Sequence, residues 1–232
     1  MESIPGYVSI VFILTTFAAV AFLLQAAKRV GLQTVPSRIL LFLLPLWIFF
    51  QAMLGVGGFY QFTDSIPPRI AVFGVLPAIL LIGVFLVFFR GNFIEKLPLK
   101  HLTLLHIVRI PVEIVLYWLF LGGTVPKIMS FEGWNFDILS GFLALIAYLV
   151  AFRRDKVNNG LLIGFNLLGL LLLANIVSIA IFSLPTPMQQ LAFDQPNRAV
   201  LFFPFNWLPS IVVPIVLFSH LAALWQLLGK RR

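Results

Sequence analysis

Along this chain the apolar positions neither alternate with polar ones nor keep to one helical face; they run together. Seven stretches approach the roughly 20 residues that a helix needs to cross a hydrocarbon core of about 30 Å. They are Tyr7–Ala27, Ile39–Tyr60, Ile70–Phe89, Leu102–Gly123, Trp134–Phe152, Leu161–Phe182 and Pro209–Leu228. The fifth is the least continuous, its unbroken apolar part beginning only at Ile138. A transmembrane barrel would instead show segments of about ten residues with alternating character, and these runs do not alternate. The pattern predicts an all-α, polytopic transmembrane helix bundle: seven spans forming one transmembrane domain over residues 1–232.

Composition agrees. The 232 residues are 61% hydrophobic and 10% charged, against about 45–50% and about 25% in soluble chains, which excludes a soluble domain. Cysteine is absent, so disulfides, thiolate metal sites and cysteine nucleophiles are excluded. No basic residue precedes the first apolar run, which is of full span length, so it is expected to be a retained anchor rather than a cleaved signal.

The net charge of +8 invites a nucleic-acid reading, but the placement of the charges argues against it. Lys28, Arg29, Arg38, Arg90, Lys96, Lys100, Arg153, Arg154, Lys156, Lys230, Arg231 and Arg232 fall in alternate connections and the tail. Only Arg69, Lys127 and Arg198 fall on the other side, where Glu2, Asp64, Glu132, Asp137 and Asp194 also lie. By the positive-inside rule this places the N-terminus outside and the C-terminus in the cytoplasm. The expected partners are the lipid bilayer and its anionic headgroups at the cytoplasmic loops, with no nucleic acid.

The cytoplasmic connections are too short for a soluble catalytic domain. The longer ones, Thr124–Gly133 and Ser183–Leu208, are expected to be external. Within the second, Met188 to Phe203 is expected to lie flat on the outer interface, its aromatic residues at headgroup level; the competing reading is a lid over an external cavity. No internal repeat supports an inverted-repeat transporter. The glycines of Gly55-Val56-Gly57-Gly58 are expected to serve close helix packing rather than phosphate binding, and Gly160 and Gly164 to serve dimerisation or internal packing.

Ionisable groups inside spans are costly and mark function by default. The fourth span holds His106, Arg109 and Glu113, which at about 100° per residue fall within an arc of about 60°. Pro111, among them, frees the carbonyl of Ile107 and is expected to kink the helix. At 1.5 Å per residue from the cytoplasmic end, His106 lies about 6 Å deep, Arg109 about 10 Å, Glu113 about 16 Å and His220 about 12 Å. Gln51 comes out at about 18 Å and Asn175 at about 21 Å. Gln51, Glu113, Asn175 and His220 are therefore expected to share a layer near mid-bilayer, with Arg109 one turn below.

The leading expectation is binding or proton-linked transport of a small polar or anionic ligand at this layer. Arg109 would hold the polar group, Glu113 would exchange a proton, and His220 or His106 would relay it. The plain structural alternative is that Arg109 and Glu113, spaced i,i+4, neutralise each other, while the histidines, Asn175 and Gln51 act as interhelical glue. A membrane-embedded enzyme is a further class, although no catalytic triad, zinc-protease motif or phosphate loop is present. A b-type haem on His106 and His220 is disfavoured by their depths. No lysine in the last span offers a retinal linkage. Neither a metal nor a cofactor is expected.

The stretch His106-Ile107-Val108-Arg109-Ile110-Pro111-Val112-Glu113 resembles uncharacterised multi-pass membrane proteins of bacteria. So do Phe131-Glu132-Gly133-Trp134-Asn135-Phe136-Asp137 and Phe205-Asn206-Trp207-Leu208-Pro209. The resemblance implies a bacterial cytoplasmic (inner) membrane location and brings no activity or ligand with it.

Overall fold

Residues 4–153 and 157–229 are described by a computed structural model of the protein. Glu2, Arg154, Lys156, Lys230, Arg231 and Arg232, which entered the charge comparison, lie outside the described residues. The chain is all-helical, at 74% helix, with no strand among the described residues. Its helices are α1 (Gly6–Val30), α2 (Val35–Val56), α3 (Ala71–Phe88), α4 (Leu99–Leu121), α5 (Asp137–Ala151), α6 (Asn159–Phe182) and α7 (Leu208–Gly229).

Six of these are long and apolar enough to cross a membrane; α5 is the exception. Its 15 residues rise only about 22 Å, so the expected seven spans become six long helices and one short one. The physical reason is local. The Asn135 side chain accepts the Asp137 N–H at 3.0 Å, which fixes a non-helical approach and moves the helix start from the expected Trp134 to Asp137.

α4 and α7 form the centre. Half of the most apolar stretch of α4 and 72% of that of α7 are buried, against 17% for α3. α1, α5 and α7 pack on α4, α6 covers α5 and α7, and α2 and α3 lie outside. Apolar helices gain little by leaving lipid for one another, so close packing and polar links decide which faces meet. Gly141 permits one such approach, because a Cβ there would sit 2.6 Å from Cγ1 of Ile110. Gly55 leaves room for the Asn206 amide, which donates to the carbonyl of Gln51 at 2.8 Å. Gly164 faces nothing within 4 Å inside the bundle.

Four prolines, Pro45, Pro77, Pro111 and Pro214, lie inside the long helices, and the helix changes form ahead of three of them. Ahead of Pro111, His106–Val108 tighten into a 3-10 turn within α4. Ahead of Pro77 and Pro214, Ala71–Val75 and Leu208–Val212 widen into π-turns. A proline cannot bond the carbonyl four residues back, which frees Phe73 and Ser210. Both carbonyls are taken up by α2: Gln51 Nε2 donates to Phe73 at 2.8 Å and Trp47 Nε1 to Ser210 at 2.9 Å. Gln51 and Trp47 are one helical turn apart, so one face of α2 repairs two broken helices.

Of the 188–203 stretch expected to lie flat, 188–196 is exposed or partly exposed, and the buried part begins at Asn197. The 183–207 segment folds back into the bundle, with Asn197 bonded through its backbone N–H to Ser183 and Arg198 to Thr124. Ala199, Val200, Leu201, Phe205 and Trp207 are buried, while Phe193 remains outside.

Candidate functional site

Arg109 opens the second half of α4, and its guanidinium is buried, 2% exposed. A charge at such a position needs a partner, and the partner is Asp137 at the start of α5. Nε donates to Oδ2 at 2.6 Å and Nη2 to Oδ1, a two-pronged ion pair of the kind that fixes geometry as well as charge. Nη1 donates to Ser140 Oγ at 2.8 Å, and both terminal nitrogens reach the Gly169 carbonyl at 3.3 Å. Nη1 also lies 3.0 Å from His220 Nε2. Arginine can only donate, so His220 Nε2 accepts and its proton sits on Nδ1, which faces Asn166 Oδ1 at 2.9 Å. Gly169 is what allows this junction: a Cβ there would fall on the His220 ring.

The Arg109–Glu113 ion pair of the structural alternative is not formed. Glu113, 1% exposed, accepts instead from Asn135 Nδ2 at 2.6 Å. That amide also donates to the Met129 carbonyl at 2.9 Å. Among the described residues Asn135 is the sole donor to Glu113, so one carboxyl oxygen has no hydrogen-bond partner.

His106 and His220 are brought together. Their rings stack with centroids 3.7 Å apart and planes 16° from parallel. The depth difference that had separated them came from misplaced helix ends; measured from Leu99 and Gly229 it falls to about 3 Å. Both nitrogens of His106 are buried without a hydrogen-bond partner. Rings stacked face to face, one with its Nε2 engaged by Arg109, are badly placed to ligate opposite sides of one haem iron. No cluster of three or more metal-ligating side chains occurs among the described residues.

The expected mid-bilayer layer does not assemble. Gln51 is buried but bonds Tyr60 and Phe73, away from Arg109. Asn175 is exposed and donates to the Trp134 carbonyl. The residues that do complete the network, Asp137, Ser140, Asn135 and Asn166, were not among the sequence candidates. Asn166 had a readable signal: it lies nine residues before Asn175, about 180° away on α6, on the stripe it shares with Gly169, Leu173 and Ile176, all buried.

Beside this network lies a cavity of about 250 Å³, the space of roughly eight waters at about 30 Å³ each. Its walls are apolar, built from residues such as Val112, Leu116, Ile176, Val212 and Val216, with Arg109, Asp137 and Glu113 at one side. Leu184, Met188, Asn197 and Val200 of the folded-back segment also line it. Its rim residues Val177, Val213 and Ile181 are partly or fully exposed on the outer surface of the bundle.

No curated protein and no solved structure matches the chain. A family model matches residues 66–228, described as Domain of unknown function (DUF8737). The matched stretch includes every residue of the buried network and leaves out α1, α2 and Gln51. The chain therefore belongs to the DUF8737 family.

Proposed function

We propose that the protein is a seven-span membrane protein of a bacterial cytoplasmic membrane, N-terminus outside, that binds a small molecule within the bundle. The ligand is mainly apolar with one polar group, and it sits in the cavity beside Arg109, Asp137 and Glu113. The observation that carries this reading is a cavity in which an apolar wall meets a buried carboxyl with an unpaired oxygen. Apolar pockets holding a few placed polar groups are the usual form of small-molecule sites. A purely structural ion pair accounts for Arg109 and Asp137 but gives no reason for Glu113 to border an open volume.

The orientation is supported by the grouping of basic side chains. Arg90 lies over the Trp225 ring near the end of α7, Lys100 lies over Phe152 at the end of α5, and Gln226 ties the α3–α4 connection to α7. These residues belong to one end of the bundle, the basic end expected to meet anionic cytoplasmic headgroups. Glu113 is also the cavity group on which proton-linked transport of the ligand would turn.

Saturable binding of radiolabelled n-octyl amphiphiles to the protein in phosphatidylcholine nanodiscs tests the reading. A Val216→Trp variant, whose indole fills the cavity, is the reference. Binding confined to the wild type supports the proposal, and equal binding to both proteins rejects it.

A further inference from the structure

The cavity's polar atoms are of one kind. Arg109 has no N–H to spare, since Asp137, Ser140, His220 and the Gly169 carbonyl take up its guanidinium donors. The oxygens of Asp137 receive the guanidinium at both positions. What remains unpaired is the second oxygen of Glu113 and, on the folded-back segment, Asn197 Oδ1, which is buried without a partner. The orientation of that amide is fixed by its Nδ2, which donates to the Ala180 carbonyl at 3.3 Å. Both unpaired atoms are oxygens, and among the described residues no unpaired side-chain N–H lines the cavity with them.

The ion pair leaves Glu113 as the cavity's uncompensated acidic group. Around it stand Arg109 on its own helix and Asn135 and Asp137 from the α5 end. α3, α6 and α7 contribute only apolar lining, and the 183–207 segment adds Asn197. Because Asp137 already neutralises Arg109, an anion at the cavity would meet no cation to pair with, whereas an amine can form an ammonium–carboxylate pair with Glu113, its proton carried in by the ligand or taken from the carboxyl. An unpaired charge in hydrocarbon is costly, so a headgroup that ends as one half of an ion pair is favoured over one that stays charged alone.

We infer that the ligand is a lipophilic amine, its ammonium group on the free oxygen of Glu113 and its hydrocarbon part along α4, α6 and α7. This deepens the reading above and rests on it. It also reverses one sequence expectation: Arg109 holds the architecture, while Glu113 is the residue that selects the ligand. The partly exposed rim at Val177, Ile181 and Val213 lets such a molecule reach the site from the lipid phase, where amphiphiles of this type already concentrate.

The experiment compares n-octylamine, n-octanol and octanoate, which share a tail and differ in headgroup. Each is measured as saturable binding to full-length protein in phosphatidylcholine nanodiscs, with Val216→Trp as reference. Octylamine is expected to bind about tenfold tighter than octanol, with octanoate weakest. Glu113→Gln, which keeps the side-chain shape, is expected to bring octylamine down to the octanol level. Equal or tighter binding of octanoate overturns the inference while leaving the binding site standing, as does an unchanged preference in Glu113→Gln. Absence of saturable binding by all three probes overturns the underlying reading as well. The comparison of probes on wild type stands even where a variant does not fold.

Discussion

Asp137, and not the Glu113 one turn along the same helix, neutralises Arg109. The pair joins two helices rather than two turns of one, so removing either partner should do more than leave a charge exposed. Arg109→Met or Asp137→Leu alone is expected to cost about 3–5 kcal/mol, as for other buried pairs broken on one side. The double variant Arg109→Met/Asp137→Leu should be less destabilised than either single one. Unfolding by dodecyl sulfate in mixed micelles reads the three values, and strict additivity would refute the coupling.

The two stacked histidines should answer the same substitution differently. His106 offers two unpartnered nitrogens to a buried, partly aromatic environment, so His106→Phe is expected to be neutral or stabilising. His220→Phe removes the acceptor for Arg109 and the contact with Asn166, leaving buried polar groups open at about 1–3 kcal/mol. The same unfolding assay separates them; equal losses would show that the stack itself matters more than the hydrogen bonds.

Gln51 is expected to be coupled to a proline on another helix. Gln51→Leu strips the Phe73 carbonyl that Pro77 has freed and also the Tyr60 hydroxyl, a loss of about 1–3 kcal/mol. Pro77→Leu returns a backbone donor to that carbonyl. Gln51→Leu should therefore cost measurably less in a Pro77→Leu background. An identical cost in both backgrounds would remove the repair role assigned to Gln51.

The absence of cysteine makes the topology directly testable. Gly91 in the α3–α4 connection and Phe193 in the folded-back segment are both exposed. In intact cells a membrane-impermeant maleimide should label Phe193→Cys, and should label Gly91→Cys only after permeabilisation. The reverse pattern would invert the proposed orientation.

The bundle and its buried face were legible because apolar runs and the rare charges within them are strong, local signals. Arg109 and Glu113 stood out for that reason, and α7 supplied His220 at a compatible height. Height, however, fixes only one coordinate. Gln51 and Asn175 sit at plausible depths but face other neighbours, because rotation about the helix axis and helix order are set by packing. Asp137 was assigned to an external segment, since nothing local announces that Asn135 starts α5 within reach of Arg109. The cavity itself was invisible, being made by apolar side chains whose type does not distinguish a wall from a packed core.

α3 shows what the proline repair leaves behind. A second apolar cavity, of about 210 Å³, lies between it and α1, α2 and α7, so α3 borders an open volume on each side. Gln51 makes the only side-chain hydrogen bond to it among the described residues. Displacing α3 would break one amide contact and exchange apolar surface for lipid of the same character, leaving the Arg109–Asp137 anchor untouched. In mechanical terms it is the loose stave of the barrel, held by a single peg.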